Sequence, residues 1–284
     1  MNRRIVIAIA LGGCNWAFGI HDSEPADAVL DDAAPGLLRP PPGPTTCGAA
    51  PDIDSWTSAS HTVAGTAAVI HPTFLGPDRV LFMNQGRFYE SGLDGDPQLA
   101  LDPGPGSTLF SPAAAPDGDV VWFARSTTGI GGSGIYYMVR DGTSWHEQAA
   151  DLGLVAYQIE TGAAGFYNGS VRMVVGYQES NMVPMHLVEI SSPDGLHWTR
   201  EADPAWPDIT QAYDPALSND GCILMFASSQ GLYVTARDGS GQFPEPHLVM
   251  PLAGSEFSTQ PALDPAALRL WFNDTALGLI ERTP

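Results

Sequence analysis

Asp214-Pro215-Ala216-Leu217-Ser218-Asn219-Asp220-Gly221, followed by Ile223-Leu224-Met225-Phe226-Ala227, is the stretch on which the fold turns. It reads as a strand opened by a polar residue and a proline, then a turn at Asp220-Gly221, then a strongly apolar second strand. Beyond it, Leu232 to Ala236 supplies a third strand, Asp238-Gly239 a second turn, and Phe243 marks a more variable outer strand. Asp-Gly and Asn-Gly supply the positive φ angles that tight hairpins require, so these turns have a physical cause.

The same plan recurs on both sides. Upstream, Ser111 to Ala115, Asp117-Gly118, Val120 to Ala124, Ile135 to Val139 and Asp141-Gly142 lead to Trp145. Between these two copies, a third runs from Ile159 through Asn168-Gly169, Val171 to Tyr177, His186 to Ser191 and Asp194-Gly195 to Trp198. Weaker copies flank them. The first holds Thr73-Phe74, Val80 to Met83, Phe88-Tyr89 and Leu99 to Leu101; the last holds Gln260 to Leu263, Leu268 to Phe272 and Leu277 to Ile280. Repeats of about 40 to 50 residues with four strands each are the mark of propeller blades. The fold expected is an all-β, five-bladed β-propeller, with six blades as the alternative if the long third copy holds another hairpin. The last copy lacks an outer strand, and the segment Trp56 to Val63 is expected to supply it, closing the ring and removing an exposed edge.

Ahead of residue 56 the composition changes. Met1-Asn2-Arg3-Arg4 is basic, and Ile5 to Leu11 is apolar but too short to span a bilayer as a helix. The pair reads as a secretion signal. From His21 to about Ser55 the chain is rich in Asp, Glu, Ala, Pro and Gly, including Arg39-Pro40-Pro41-Pro42-Gly43-Pro44, and is read as a disordered tether. The expected organisation is a signal at 1–13, a tether at 14–55 and a propeller at 56–284.

Lysine is absent, and 12 basic residues stand against 32 acids for a net charge of −20. Without Arg3 and Arg4 the balance is 10 − 32 = −22. Phosphate backbones bind basic surfaces, so nucleic acid and anionic lipid heads are excluded as partners. Three cysteines occur, Cys14, Cys47 and Cys222. Cys222 lies in an apolar run and is read as a buried free thiol, although an exported protein permits it to pair with Cys47. No Gly-x-Ser-x-Gly elbow, His-Glu-x-x-His or Cys-x-x-Cys spacing is present, and neither a cofactor nor a metal is expected.

Leu11-Gly12-Gly13-Cys14 resembles the lipobox of bacterial lipoproteins; the resemblance implies cleavage before Cys14 and a lipid on its thiol. An ordinary secretory signal, giving a secreted or periplasmic soluble protein, is the alternative. Ser111 to Ala124 and Asp214 to Ser229 resemble the TolB-type, or WD40-like, repeat of bacterial envelope proteins, which implies a scaffold in the cell envelope, bound to the membrane through the lipid alone. Ser191-Ser192-Pro193-Asp194-Gly195-Leu196-His197-Trp198 is similar to the hairpins of sialidase-like and five-bladed glycosidase-like propellers, where the hairpin is a folding device. Asp214-Pro215 resembles the opening of some of those glycosidases.

A ligand over the ring axis would meet residues near the inner-strand starts. Strand position nominates Tyr157, Glu160, Asp214, Glu256 and Gln260, with His71 as a neighbour. The reading preferred is a non-catalytic scaffold binding an envelope protein, peptide or saccharide. The alternative is a glycoside hydrolase-like enzyme, which would need two inward carboxyls roughly 5 to 9.5 Å apart in an open pocket.

Overall fold

The computed structural model describes residues 38–52, 57–61, 70–92, 95–127, 133–149, 156–204, 206–251, 260–263, 270–274 and 278–283. They form a β-propeller. Five four-stranded antiparallel sheets follow one another. The first comprises β2 (Ile70–Gly76), β3 (Arg79–Asn84), β4 (Arg87–Gly92) and β5 (Gln98–Leu101). The second has β6 (Ser107–Ala114), β7 (Val120–Thr127), β8 (Ser133–Asp141) and β9 (Ser144–Ala149). The third has β10 (Gln158–Tyr167), β11 (Ser170–Gln178), β12 (His186–Ser192) and β13 (Thr199–Arg200). The fourth has β14 (Ala212–Leu217), β15 (Ile223–Ser228), β16 (Gly231–Ala236) and β17 (His247–Pro251). In the last, β18 (Ala262–Leu263), β19 (Leu270–Asp274) and β20 (Gly278–Thr283) are completed by β1 (Thr57–His61). β1 pairs antiparallel with β20, Thr57 opposite Thr283 and His61 opposite Leu279, so head and tail of the propeller share one sheet. The inner strands β2, β6, β10, β14 and β18 touch in that order, and β18 returns to β2.

The second strands β3, β7 and β15 carry unbroken apolar runs, at residues 80–83, 120–124 and 223–227, because both of their faces are covered. Val121 and Phe123 of β7 pack towards the first sheet with Leu81 and Phe88, while Val120 and Trp122 pack towards the third with Met173 and Val175. In β15, Leu224 and Phe226 face the third sheet and Met225 faces the last. Period-2 side-chain alternation thus divides one strand between two interfaces. Trp198, following the Asp194-Gly195 turn, meets Trp122 edge-on at 5.3 Å, and both indole N–H groups donate to the Gly195 carbonyl. The aromatic after the turn therefore stitches the second and third sheets together.

The turns are more varied than Asp-Gly hairpins alone. Asn168 and Gly169 both have positive φ, 50° and 72°. At Asp117-Gly118 and Asp220-Gly221 only the glycine does, at 74° and 70°. These two connections are superposable in hydrogen bonding: Ala115 N–H donates to Val120 O and Gly118 N–H to Ala115 O, as Ser218 N–H does to Ile223 O and Gly221 N–H to Ser218 O. The longer loop lets the aspartate bond backbone N–H groups instead of occupying the left-handed region itself.

Two sequence expectations are corrected at the N-terminal segment. Residues 38–52, read as part of a disordered tether, lie as a strap across the end of the ring where the inner strands finish. Leu38 is buried in the core between the second and third sheets. Gly43 meets the Phe166 carbonyl so closely that a Cβ would stand 2.6 Å from its oxygen. Pro44 O accepts Asn168 N–H, Thr45 O accepts the Tyr167 hydroxyl, and Ala50 packs against the core between the fourth and last sheets. Composition missed this because one leucine and a few backbone contacts hold the strap. Cys222, read as a free thiol, instead forms a disulfide with Cys47, Cα–Cα 5.4 Å across 175 residues of sequence. Cys14 and the remaining tether lie outside the described residues.

Candidate functional site

Every inner strand but the short β18 breaks register at an equivalent place, between Ile70 and Thr73, Phe110 and Ala113, Thr161 and Ala164, and Tyr213 and Ala216, and β2 breaks again between Phe74 and Gly76. A bulge turns its first residue out of the ladder and towards the axis. Those residues are His71, Ser111, Gly162 and Asp214, and Gln260 holds the equivalent place before β18. Proline follows four of the five, at Pro72, Pro112, Pro215 and Pro261. Proline fits where the ladder is already broken, because it has no N–H to donate. His71, Ser111 and Asp214 sit at φ of 49°, 51° and 49°, a conformation costing of order 1–3 kcal/mol each for residues with a side chain. Gly162 has no side chain because a Cβ there would run into the Pro215 carbonyl. The five positions pinch the axis to a cavity of about 20 Å³, room for about one water.

The polar groups around this pinch bond one another. His71 N–H donates to Gln260 Oε1 at 2.6 Å, and Gln260 Nε2 lies 3.1 Å from His71 Nε2. Both Ser111 Oγ and Asp214 Oδ1 approach His71 Nδ1, each at 3.3 Å. A Ser-His-Asp relay needs serine and aspartate on opposite ring nitrogens, so this arrangement is not one. Thr161 Oγ1 donates to the Ser111 carbonyl. Glu160 Oε2 accepts Asp214 N–H at 3.2 Å and Glu160 Oε1 accepts Gln158 Nε2 at 2.9 Å. Asp214, 9% exposed, keeps Oδ1 without a hydrogen bond despite the nearby imidazole. Burial first, then the Asp214 charge, push the Glu160 carboxyl up to about 7, with His71 opposing. Burial and the same two acids also raise the Tyr213 phenol.

Three of the nominated residues, Glu160, Asp214 and Gln260, thus meet at the axis, and His71 joins them. Tyr157 does not: it is 48% exposed beside the inner-strand start, its N–H donating to Gln178 O. Glu256 lies outside the described residues. Sequence reasoning missed Ser111 and Thr161. Ser111-Pro112 carries the signal that would have found the first, since it repeats the polar-Pro pair of His71-Pro72, Asp214-Pro215 and Gln260-Pro261.

A second polar cluster was also missed. Arg237, 1% exposed, holds Glu189 through two guanidinium nitrogens, Nη2 to Oε1 at 2.5 Å and Nη1 to Oε2 at 3.1 Å. Its Nε donates to Gly221 O and its plane lies over the rings of Phe243 and Tyr167, at 4.1 and 4.6 Å. Arg172 bridges Glu189 and Glu201 at 3.4 and 3.0 Å. The cluster lines a cavity of about 320 Å³ beside Thr45 of the strap. Two arginines against two glutamates leave it neutral, which suits a structural ion-pair network. Among the described residues no group of three or more His, Cys, Asp or Glu is placed to hold a metal.

No family model matches the chain, and no curated protein matches it in sequence. Among solved structures, a gluconolactonase from Xanthomonas campestris is similar over 88% of this chain and 98% of its own, at 16% identity and a TM-score of 0.51. A GH32 β-fructofuranosidase from Bombyx mori is similar over 79% of this chain and 61% of its own, at 14% identity and a TM-score of 0.56. A putative TolB from Agrobacterium tumefaciens is similar over 78% of this chain and 79% of its own, at 18% identity and a TM-score of 0.49. At such identities what is shared is the β-propeller fold, which carries scaffolds and hydrolases alike.

Proposed function

We propose that this chain is a non-catalytic, exported propeller of five blades, latched by β1, that binds a protein, peptide or saccharide of the bacterial cell envelope. The observation that carries the reading is the closed axis. With about 20 Å³ between the bulges, a sugar ring has no place beside Asp214 at the axis, and the Glu160 carboxylate is occupied in holding the Asp214 N–H of the neighbouring inner strand. Binding then falls to the face around the inner-strand starts, because the strap covers part of the opposite end. Cleavage before Cys14 and lipidation of its thiol would hold the propeller at a membrane, since two or more acyl chains anchor stably without a spanning helix. Wild-type protein is expected in the membrane fraction and Cys14→Ser in the soluble one; equal partitioning overturns the anchor. A pull-down from solubilised envelope, with the N-terminal segment intact, is expected to recover a stable partner.

One observation favours the hydrolase reading: Glu160, pushed up to about 7 beside Asp214, has the protonation behaviour of a general acid. Turnover of glycosides by the wild type, abolished in both Glu160→Gln and Asp214→Asn, would replace the scaffold reading with that one.

A further inference from the structure

We infer that the face where the inner strands begin docks a positively charged, amphipathic segment of another protein on Tyr157, Met182 and Val183. This rests on the scaffold reading and names the surface and partner chemistry within it. Tyr157, Met182 and Val183 are 48%, 88% and 38% exposed, whereas Met138, Met173 and Met225 are fully buried. The loop bearing Met182 and Val183 is nonetheless fixed. Val183 N–H donates to Ser180 O, Met182 N–H to Ser180 Oγ, and the Gln178 side-chain amide to Val183 O at 2.9 Å. Gln178 O in turn accepts Tyr157 N–H, so one residue ties the backbone at Tyr157 to the backbone at Val183. A held loop that presents a methionine to solvent gives up apolar burial without gaining freedom. Methionine and tyrosine are the side chains favoured at the centre of interfaces, where methionine adapts its shape to the partner.

The charges around the patch decide the sign of that partner. Glu179 is exposed on the same loop. Asp208 is exposed on the segment leading to β14, which is tied to this loop where Ala212 N–H donates to Met185 O. Neither acid has an ion pair among the described residues. The nearest cation, Arg200, is held by Asp203 and is also within electrostatic reach of Glu179, so the acids outnumber it. An apolar centre with an acidic rim in a chain of net charge −20 repels anionic lipid and acidic protein. It complements a segment whose lysines or arginines flank apolar side chains, with the charges speeding encounter and the apolar contact holding the complex.

The test uses the intact mature chain and three synthetic peptides, one built from leucine and lysine in an amphipathic pattern, one with glutamate for lysine, and one with serine for leucine. Fluorescence anisotropy at physiological salt is expected to show binding of the leucine–lysine peptide alone. Met182→Ser with Val183→Ser should weaken it by about tenfold or more. Glu179→Gln with Asp208→Asn should flatten its salt dependence. Unchanged melting temperatures in these exposed-site variants show that folding is not the cause. Failure of the leucine–lysine peptide to bind, equal binding of the lysine–serine peptide, or undiminished binding by the Met182/Val183 variant each overturns the proposal. Anionic vesicles bound by the wild type and not by that variant would assign the patch to a membrane and overturn it also. An envelope partner recovered equally by wild type and variant defeats this surface while sparing the scaffold; recovery of none from the wild type defeats the scaffold itself.

Discussion

Glu189 and Glu160 are both withdrawn from water on neighbouring parts of the third sheet, and their surroundings are opposite. Glu189 lies between two arginines and takes a bidentate grip from Arg237. Glu160 faces Asp214 and has for company an imidazole, an amide and a backbone N–H. The outer acid is therefore paired with guanidinium, and the inner one is pushed towards its neutral form. A carboxylate supplied with cations serves as a structural rivet; one placed beside another acid is where pH acts on the fold. Distance from the axis, more than burial, separates the two.

Breaking the rivet should have the largest effect. Arg237→Leu leaves Glu189 buried with Arg172 as its only cation among the described residues and removes the plane stacked between Tyr167 and Phe243. Loss of one partner from a buried pair costs about 3–5 kcal/mol, to be read as a lower urea midpoint. Replacing Glu189 as well, as Arg237→Met with Glu189→Met, should recover a large part, because no uncompensated charge then remains at that position. Equal losses in the single and double variants would mean that the packing of the guanidinium matters more than its charge.

Next in size is the strap. Cys47→Ser removes a closure over 175 residues and should cost about 2–4 kcal/mol, measured by denaturation under non-reducing conditions. The effect belongs to the outer half of the comparison. The strap pins the turn between β14 and β15 and carries Thr45 over the arginine cavity. If the variant also opens that cavity, protease cleavage should appear first within residues 38–52.

How much of this was legible beforehand differs between the two regions as well. The repeat of polar-Pro strand, turn and apolar strand was written plainly, because period and turn chemistry are local properties of sequence. The pairing of β1 with β20 followed from counting strands in the last copy. Glu160, Asp214 and Gln260 could be nominated from their place at the inner-strand starts. Their meeting through the bulges could not, since a bulge is decided by the partner strand. Arg237 and Glu189 are 48 residues apart and belong to no motif; only the packing of the third sheet on the fourth unites them. The disulfide was hidden because Cys222, read in isolation, is indistinguishable from any small buried apolar residue.

The closed axis can be tested with one methyl group. In Gly162→Ala the added Cβ would collide with the Pro215 carbonyl, a backbone atom of the adjacent inner strand that has no side chain to swing aside. Overpacking of this kind costs about 1–3 kcal/mol. A neutral result would show that the inner strands can separate, and the axis would then be able to admit a ligand, weakening the case against catalysis.

The smallest expected effect is the one that carries a pH signature. The folded-state pKa of Glu160 is about 7 against an ordinary 4.5, so the folded chain binds more protons than the unfolded one between those values. Stability should therefore fall as pH rises from about 4.5 to about 7, and the deficit should persist above it. Glu160→Gln keeps an acceptor for Asp214 N–H and cannot ionise. It should match the wild type at pH 4 and exceed it by about 1–2 kcal/mol at pH 8, part of the proton uptake belonging to the pair with Asp214. Glu189→Gln should instead be less stable than the wild type at pH 8, because Arg237 and Arg172 are left facing a neutral amide. Parallel pH profiles for the two variants would mean that the inner and outer acids feel the same field, and the distinction between poised acid and rivet would fail.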